Sequence, residues 1–169
     1  MFLDLFEEED SVITSERLTL RLLRMEDAAD ILEIRGDQDT ADDAGVPCME
    51  SIEDAIDYIS RWGEDSVAIV LGDEVIGLIE SYSDEELIYD STFIGYYLKK
   101  KYRRMGYMTE ALTTLKNKLL ERGESDFMLW IFPDNRASIR VAEKCGWHSL
   151  GCHLVDIECR NQFVEFFTL

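Results

Sequence analysis

Residues 92–122 restrict the fold more than any other stretch of this chain. Thr92 to Leu98 reads as a β-rich run. From about Met108 to Arg122 the apolar residues Met108, Leu112, Leu115 and Leu119 recur at helical spacing, and Gly123 ends the pattern. The turn between them holds Lys99, Lys100, Lys101, Arg103 and Arg104, five of the 17 basic residues within six positions of a chain whose net charge is -19. Gly106 lets the backbone approach a ligand closely, and the first N–H groups of a helix lack intrahelical partners. With the helix macrodipole, these features make an anion site suited to a phosphate or pyrophosphate. Taken alone, the run is also what a solvated charge cluster before a helix looks like.

The flanking sequence extends this strand–turn–helix unit into one mixed sheet. Leu18, Leu20 and Leu22 alternate as in a half-buried strand, and Glu26 and Asp27 open a short helix carrying Ile31 and Ile34 and closed by Gly36. Residues 37–50 are polar and read as a loop. Ser51 and Asp54 form a capping-box pattern before a helix with Ala55, Ile56 and Ile59 on one face. Val67–Leu71 and Val75–Tyr82 read as a hairpin around Gly72, and residues 83–90 as a polar turn. Phe127–Phe132 is a strand, a short helix runs to Cys145 and Gly146, and residues 148–158 and 162–168 form two final strands. The expected fold class is α/β (α+β), a mixed central sheet of about seven strands flanked by about four helices. The 169 residues suit a single domain, with residues 1–12 as an acidic lead-in.

Composition removes several classes of function. No run approaches the ~18 apolar residues of a membrane span, and the acidic start does not read as a secretory signal. Cys48, Cys145, Cys152 and Cys159 contain no CxxC pair, and only His148 and His153 are available to join them, so no metal site is expected. Reduced thiols fit a cytoplasmic location. A net charge of -19 disfavours a nucleic-acid partner and favours a cationic one, although it serves solubility as well.

The string from Ile94 to Leu112 resembles the coenzyme A-binding motif of the GNAT superfamily of N-acetyltransferases, Gln/Arg-x-x-Gly-x-Gly/Ala at the opening of a helix. Arg103 and Gly106 match its first two fixed positions. Met108 stands where the family carries Gly or Ala, and its bulk is expected to narrow the approach to the pyrophosphate. Asn135 to Trp147 resembles the family's Asn-x-x-Ser/Ala…Glu-Lys-x-Gly-Phe segment, and Thr14 to Arg21 is similar to the opening of the branch containing the ribosomal-protein N-terminal acetyltransferases. Together these resemblances span about residues 13–169.

The resemblance implies an acyltransferase that moves acetyl from acetyl-CoA to a primary amine by direct attack, the acceptor being a protein N-terminus or a small cationic amine. A non-catalytic acetyl-CoA binding or sensing module is the alternative. The backbone of Tyr96, Tyr97 and Leu98 would pair with the pantetheine arm. Arg103 would open the motif, and Arg104, Met105, Gly106, Tyr107, Met108 and Thr109 would offer N–H groups to the pyrophosphate. Asn135 and Ser138 would lie along the cofactor, although Asn-x-x-Ser is also a helix N-cap. Members of this branch often pair, so a homodimer is an expectation of the resemblance.

The family's usual acid and base do not carry over: Ala142 stands at the tyrosine position and Trp130 at the glutamate position. Catalytic candidates are therefore local, chiefly Glu80 and Tyr97, with Tyr82 and Tyr96 beside them. Glu80 follows the apolar run Val75–Ile79, a setting able to raise a carboxyl pKa toward proton transfer. Cys145 reads as a buried structural thiol and His148 as a strand residue.

Overall fold

The computed structural model describes residues 5–6, 11–83, 89, 91–157 and 160–169. Among these, strands β1 (Ile13–Thr14) and β2 (Thr19–Leu22) lead to helices α1 (Ala28–Arg35), α2 (Gln38–Ala44) and α3 (Ile52–Trp62). Strands β3 (Ser66–Leu71), β4 (Glu74–Tyr82) and β5 (Thr92–Leu98) follow, then α4 (Tyr107–Glu121), β6 (Phe127–Ile131), α5 (Arg136–Lys144), β7 (His148–Ile157) and β8 (Arg160–Thr168). They build one sheet in the order β1-β2-β3-β4-β5-β6-β8-β7, antiparallel throughout except for the parallel β5–β6 pair. The expected mixed sheet is present, with eight strands instead of seven and five α-helices instead of four. Most of the expected polar turn, residues 84–88 and 90, lies outside the described residues.

The extra helix is α2, in the segment expected to be a loop. Its sequence has no apolar stripe, since only Thr40 and Ala41 are buried, so hydrophobic periodicity carries no trace of it. Its ends are well specified nevertheless: Asp37 accepts a hydrogen bond from the Thr40 N–H, and Gly45 closes the helix in the left-handed conformation at φ 66°. At α3 the expected capping box is present, with Ser51 and Asp54 exchanging side-chain and backbone hydrogen bonds.

Of the three core clusters among the described residues, the two larger ones lie on opposite faces of the sheet. On one face α4 and α5 lay Leu112, Leu115, Ile139 and Ala142 against Ile76, Ile79 and Leu129, and Leu5 and Phe6 of the lead-in are buried there too. On the other, α1 and α3 lay Ile31, Ile34 and Ile59 against Ala68, Leu78 and Tyr97. Burial of such side chains, each about 1.5–3 kcal/mol relative to exposure, holds both helical layers to the sheet.

The three lysines of the basic run serve this architecture. Lys99, only 2% exposed in its side chain, reaches Asp30 at 2.6 Å, Glu33 at 2.7 Å and Glu74 at 3.0 Å. Lys101 also meets Glu74, and Lys100 meets Asp37 and Asp39. Asp30, Glu33 and Glu74 place carboxylate oxygens within 4.8 Å of one another, and the Lys99 ammonium already bridges all three.

These contacts have a consequence for acid stability. Hydrogen bonds from Lys101, Tyr102 and Lys99 hold Glu74 down to about 2 from its usual 4.5. Lys100, with Thr40, holds Asp37 down to about 2 from 3.8. A carboxylate lowered in the folded state contributes stability that is present above its unfolded pKa and lost as pH falls through the folded value. Denaturant melts taken stepwise should therefore show stability falling between about pH 4.5 and pH 2. A Glu74→Gln variant should show a shallower fall; an unchanged slope would remove Glu74 as a cause.

Candidate active site

The site begins with a divergence of strands. β5 and β6 pair only at Thr92↔Phe127 and Phe93↔Met128. Beyond those two pairs β5 stays with β4, and β6 stays with β8. The gap opens a cavity of about 990 Å³, bounded by Ile94–Leu98 of β5, Leu129–Ile131 of β6, the turn before α4 and the start of α5.

The turn before α4 gives the cavity an anion-seeking end. Arg104 at φ 66° and Gly106 at φ 83° both have left-handed backbone. Successive N–H groups in such turns converge into an anion-binding nest. Gly106 caps α4 without any side-chain cap hydrogen bond. The first helical N–H groups at Tyr107, Met108 and Thr109 thus lack both an intrahelical partner and a side-chain cap, and these residues line the cavity. Met108 lines the cavity while belonging to the core. Only 6% exposed, it packs into the α4–α5 core, while Met105 is exposed at 55%.

Arg17 braces the turn from behind. Its Nε donates to Glu110 Oε2 at 2.6 Å and its Nη1 to the Met105 carbonyl at 3.1 Å, and its guanidinium lies 4.3 Å from the Tyr107 ring centre. Ser15 Oγ donates to the same Glu110 carboxylate at 2.7 Å. The sequence reading missed Arg17. The signal was its place inside the Thr14–Arg21 string, where nothing local shows that it meets a turn 88 residues further on.

The remaining predicted residues divide between the two sides of the cleft. Tyr96 points to the α4–α5 side, where its hydroxyl donates to the Ser138 carbonyl at 2.9 Å, and burial raises its pKa. Arg103 also lines the cavity but gives its Nε to the Leu98 carbonyl at 3.1 Å and its Nη2 to Thr40 Oγ1 at 2.7 Å, tying the end of β5 to α2. Asn135 is the N-cap of α5: its Oδ1 accepts from the Ser138 N–H at 3.1 Å, and its Nδ2 donates to the Asp43 carbonyl at 3.2 Å. Both Asn135 and Ser138 line the cavity.

Glu80 and Tyr97 come together on the opposite side. Glu80 is paired with Gly95 in the register of β4 and β5, and a Cβ at Gly95 would lie 3.0 Å from Glu80 Oε1. Glycine there leaves room for the glutamate to lie across β5. Oε1 accepts from Tyr97 Oη at 2.5 Å, and Oε2 accepts from Tyr58 Oη at 2.5 Å and Arg35 Nη1 at 3.2 Å. The Arg35 guanidinium stacks 4.7 Å from the Tyr97 ring centre and 5.1 Å from that of Tyr58. Burial, then the Glu80 charge, pushes both tyrosines well above their usual pKa, so they stay protonated as donors. Arg35 and Tyr58, from α1 and α3, were not among the sequence candidates.

Other candidates fall away from the cavity. Ala142 is fully buried in the core. Cys145 is buried with its thiol pKa raised by burial, and His148 is exposed on β7. Trp130 does line the cavity, with its indole Nε1 buried and without a hydrogen-bond partner among the described residues. None of the helices among the described residues is long and apolar enough to cross a membrane.

Comparison with known proteins agrees with this architecture. The sequence profile of the acetyltransferase (GNAT) domain matches residues 17–148. No curated protein sequence matches the chain significantly. Among solved structures, a GNAT-family acetyltransferase from Bacillus anthracis superposes with a TM-score of 0.81 at 21% identity, covering 94% of this chain and 98% of that one. The ribosomal L7/L12 alpha-N-protein acetyltransferase RimL, solved with coenzyme A, gives 0.73 at 19% identity over 94% and 97% of the two chains. The microcin C7 self-immunity acetyltransferase MccE, solved with acetyl-CoA and AMP, gives 0.73 at 17% identity over 92% and 93%. With the profile spanning most of the sequence and the splayed sheet beneath it, the chain belongs to the GNAT acetyltransferase family and is an acyltransferase.

Proposed function

We propose that this enzyme transfers acetyl from acetyl-CoA to a primary amine by direct attack, the acceptor being a protein N-terminus or a small cationic amine. The observation that carries the reading is the joining, in one cavity, of an uncapped helix N-terminus and a hydrogen-bonded carboxylate, Glu80. The N–H groups of Arg104 to Thr109 receive the pyrophosphate, the β5 backbone at Tyr96–Leu98 pairs with the pantetheine arm, and Asn135 and Ser138 flank it. Arg103 ties the end of β5 to α2 at the edge of the cleft. The acceptor enters from the Glu80 side, and exposed Asp43 of α2, which lines the cavity, favours a cation.

Glu80 takes one proton from the ammonium, directly or through water, and the neutral amine attacks the thioester carbonyl. A backbone N–H near Leu98 stabilises the oxyanion. On collapse the C–S bond breaks, and sulfur takes the second proton from nitrogen. Tyr97 acts through Glu80, holding its carboxylate.

Calorimetric titration of acetyl-CoA, followed by thiol-release assays on basic N-terminal peptides, polyamines and aminoglycosides, tests this reading. Saturable binding with thiol release for at least one class is the expected result. Binding without release for any amine would leave a sensing module, and absence of binding would end the proposal.

A further inference from the structure

Glu80 stands between two cavities. It lines the main cleft, and it also lines a second cavity of about 220 Å³ with Arg35, Tyr58, Trp62, Ser66 and Tyr82. Trp62, at the rim, is 49% exposed. Arg35 is only 7% exposed, gives Glu80 a single hydrogen bond, and keeps its Nε buried without a partner among the described residues. An incompletely satisfied guanidinium beside a space bordered by Tyr58, Ser66 and Glu80 is a setting that ordered water completes.

The reaction releases a proton that must reach solvent. An ammonium acceptor yields amide, thiol and one free proton. The main cavity is the one that would hold the acetyl donor and the acceptor, and the second cavity gives Glu80 a separate contact with solvent. We propose that the second cavity is the water-filled proton outlet of Glu80, and that Arg35 and Tyr58 are positioning residues holding its carboxylate between the two spaces. This rests on the reading of Glu80 as proton acceptor. An N–H bond of the ammonium breaks as an O–H bond forms on Glu80. That O–H bond then breaks as water in the second cavity takes the proton and passes it to solvent, restoring the carboxylate.

The ionisable groups facing Glu80 among the described residues are Arg35 from α1, Tyr58 from α3 and Tyr97 from β5. Tyr58→Phe removes one donor with little change of volume. Ser66→Val replaces a hydroxyl 3.1 Å from Tyr58 Oη with apolar bulk that disfavours water in the second cavity. Each variant should lower kcat at least ~10-fold, raise the solvent deuterium isotope effect on kcat, and leave the acetyl-CoA Kd unchanged, which also confirms folding. Wild-type kcat and isotope effect in both, with Glu80→Gln impaired, would overturn the outlet and leave Glu80 as proton acceptor. Wild-type kcat in Glu80→Gln would overturn both readings.

Discussion

Acetyl-CoA titrated into a Gly106→Trp variant should give no saturable heat at ~100 times the wild-type Kd, equivalent to a loss of at least about 2.7 kcal/mol. Residue 106 has φ 83°, where an L side chain costs roughly 1–2 kcal/mol. Its Cβ would also lie 3.4 Å from Arg17 Nη2, which is itself fixed by Glu110 and the Met105 carbonyl. The backbone relieves both stresses by rotating, and rotation turns the converging N–H groups away from one another. A hydrogen bond to a charged group contributes about 1.5–3 kcal/mol, so losing two accounts for the expected effect. The turn is at the surface and α4 remains packed through Leu112, Leu115 and Leu119, so the thermal transition should stay cooperative. Wild-type affinity in a folded Gly106→Trp variant would show that the cofactor does not use this turn.

Glu80→Gln is expected to reduce kcat by about 10²–10³-fold with the acetyl-CoA Kd unchanged. Glutamine is nearly the same size, so the cavity keeps its shape. Its amide offers only one acceptor atom where Tyr58, Tyr97 and Arg35 donate to two, and it cannot take a proton from the ammonium. Steady-state thiol release and titration calorimetry on the same preparation separate the two effects. A kcat within a few-fold of wild type would assign proton removal elsewhere, while a large loss of cofactor affinity would make the residue structural.

The elements that carry this site differ in how far the sequence revealed them. The strand at Thr92–Leu98, the glycine turn and the α4 helix were legible because alternation, turn chemistry and helical spacing are short-range properties. Asn135 was legible as a cap for the same reason, whereas its place along the cleft came only from the family resemblance. α2 was not, since seven residues with two buried side chains leave no apolar period. The lysine run was legible as a concentration of charge but not as to its purpose. Its carboxylate partners Asp30, Glu33, Asp37, Asp39 and Glu74 lie on other elements, and only folding brings them to Lys99, Lys100 and Lys101.

By itself the sequence determined the alternation of strands and helices, the position of the glycine turn, and an apolar run in β4 followed by Glu80. The tertiary structure decided that β5 and β6 part after two pairs, that Gly95 stands opposite Glu80, and that Arg35 and Tyr58 reach the same carboxylate from α1 and α3. Those outcomes depend on strand register, and a slip of one residue would move Glu80 to the other face of the sheet. Register is fixed by packing between segments far apart in the chain, where local sequence carries no record of the partner.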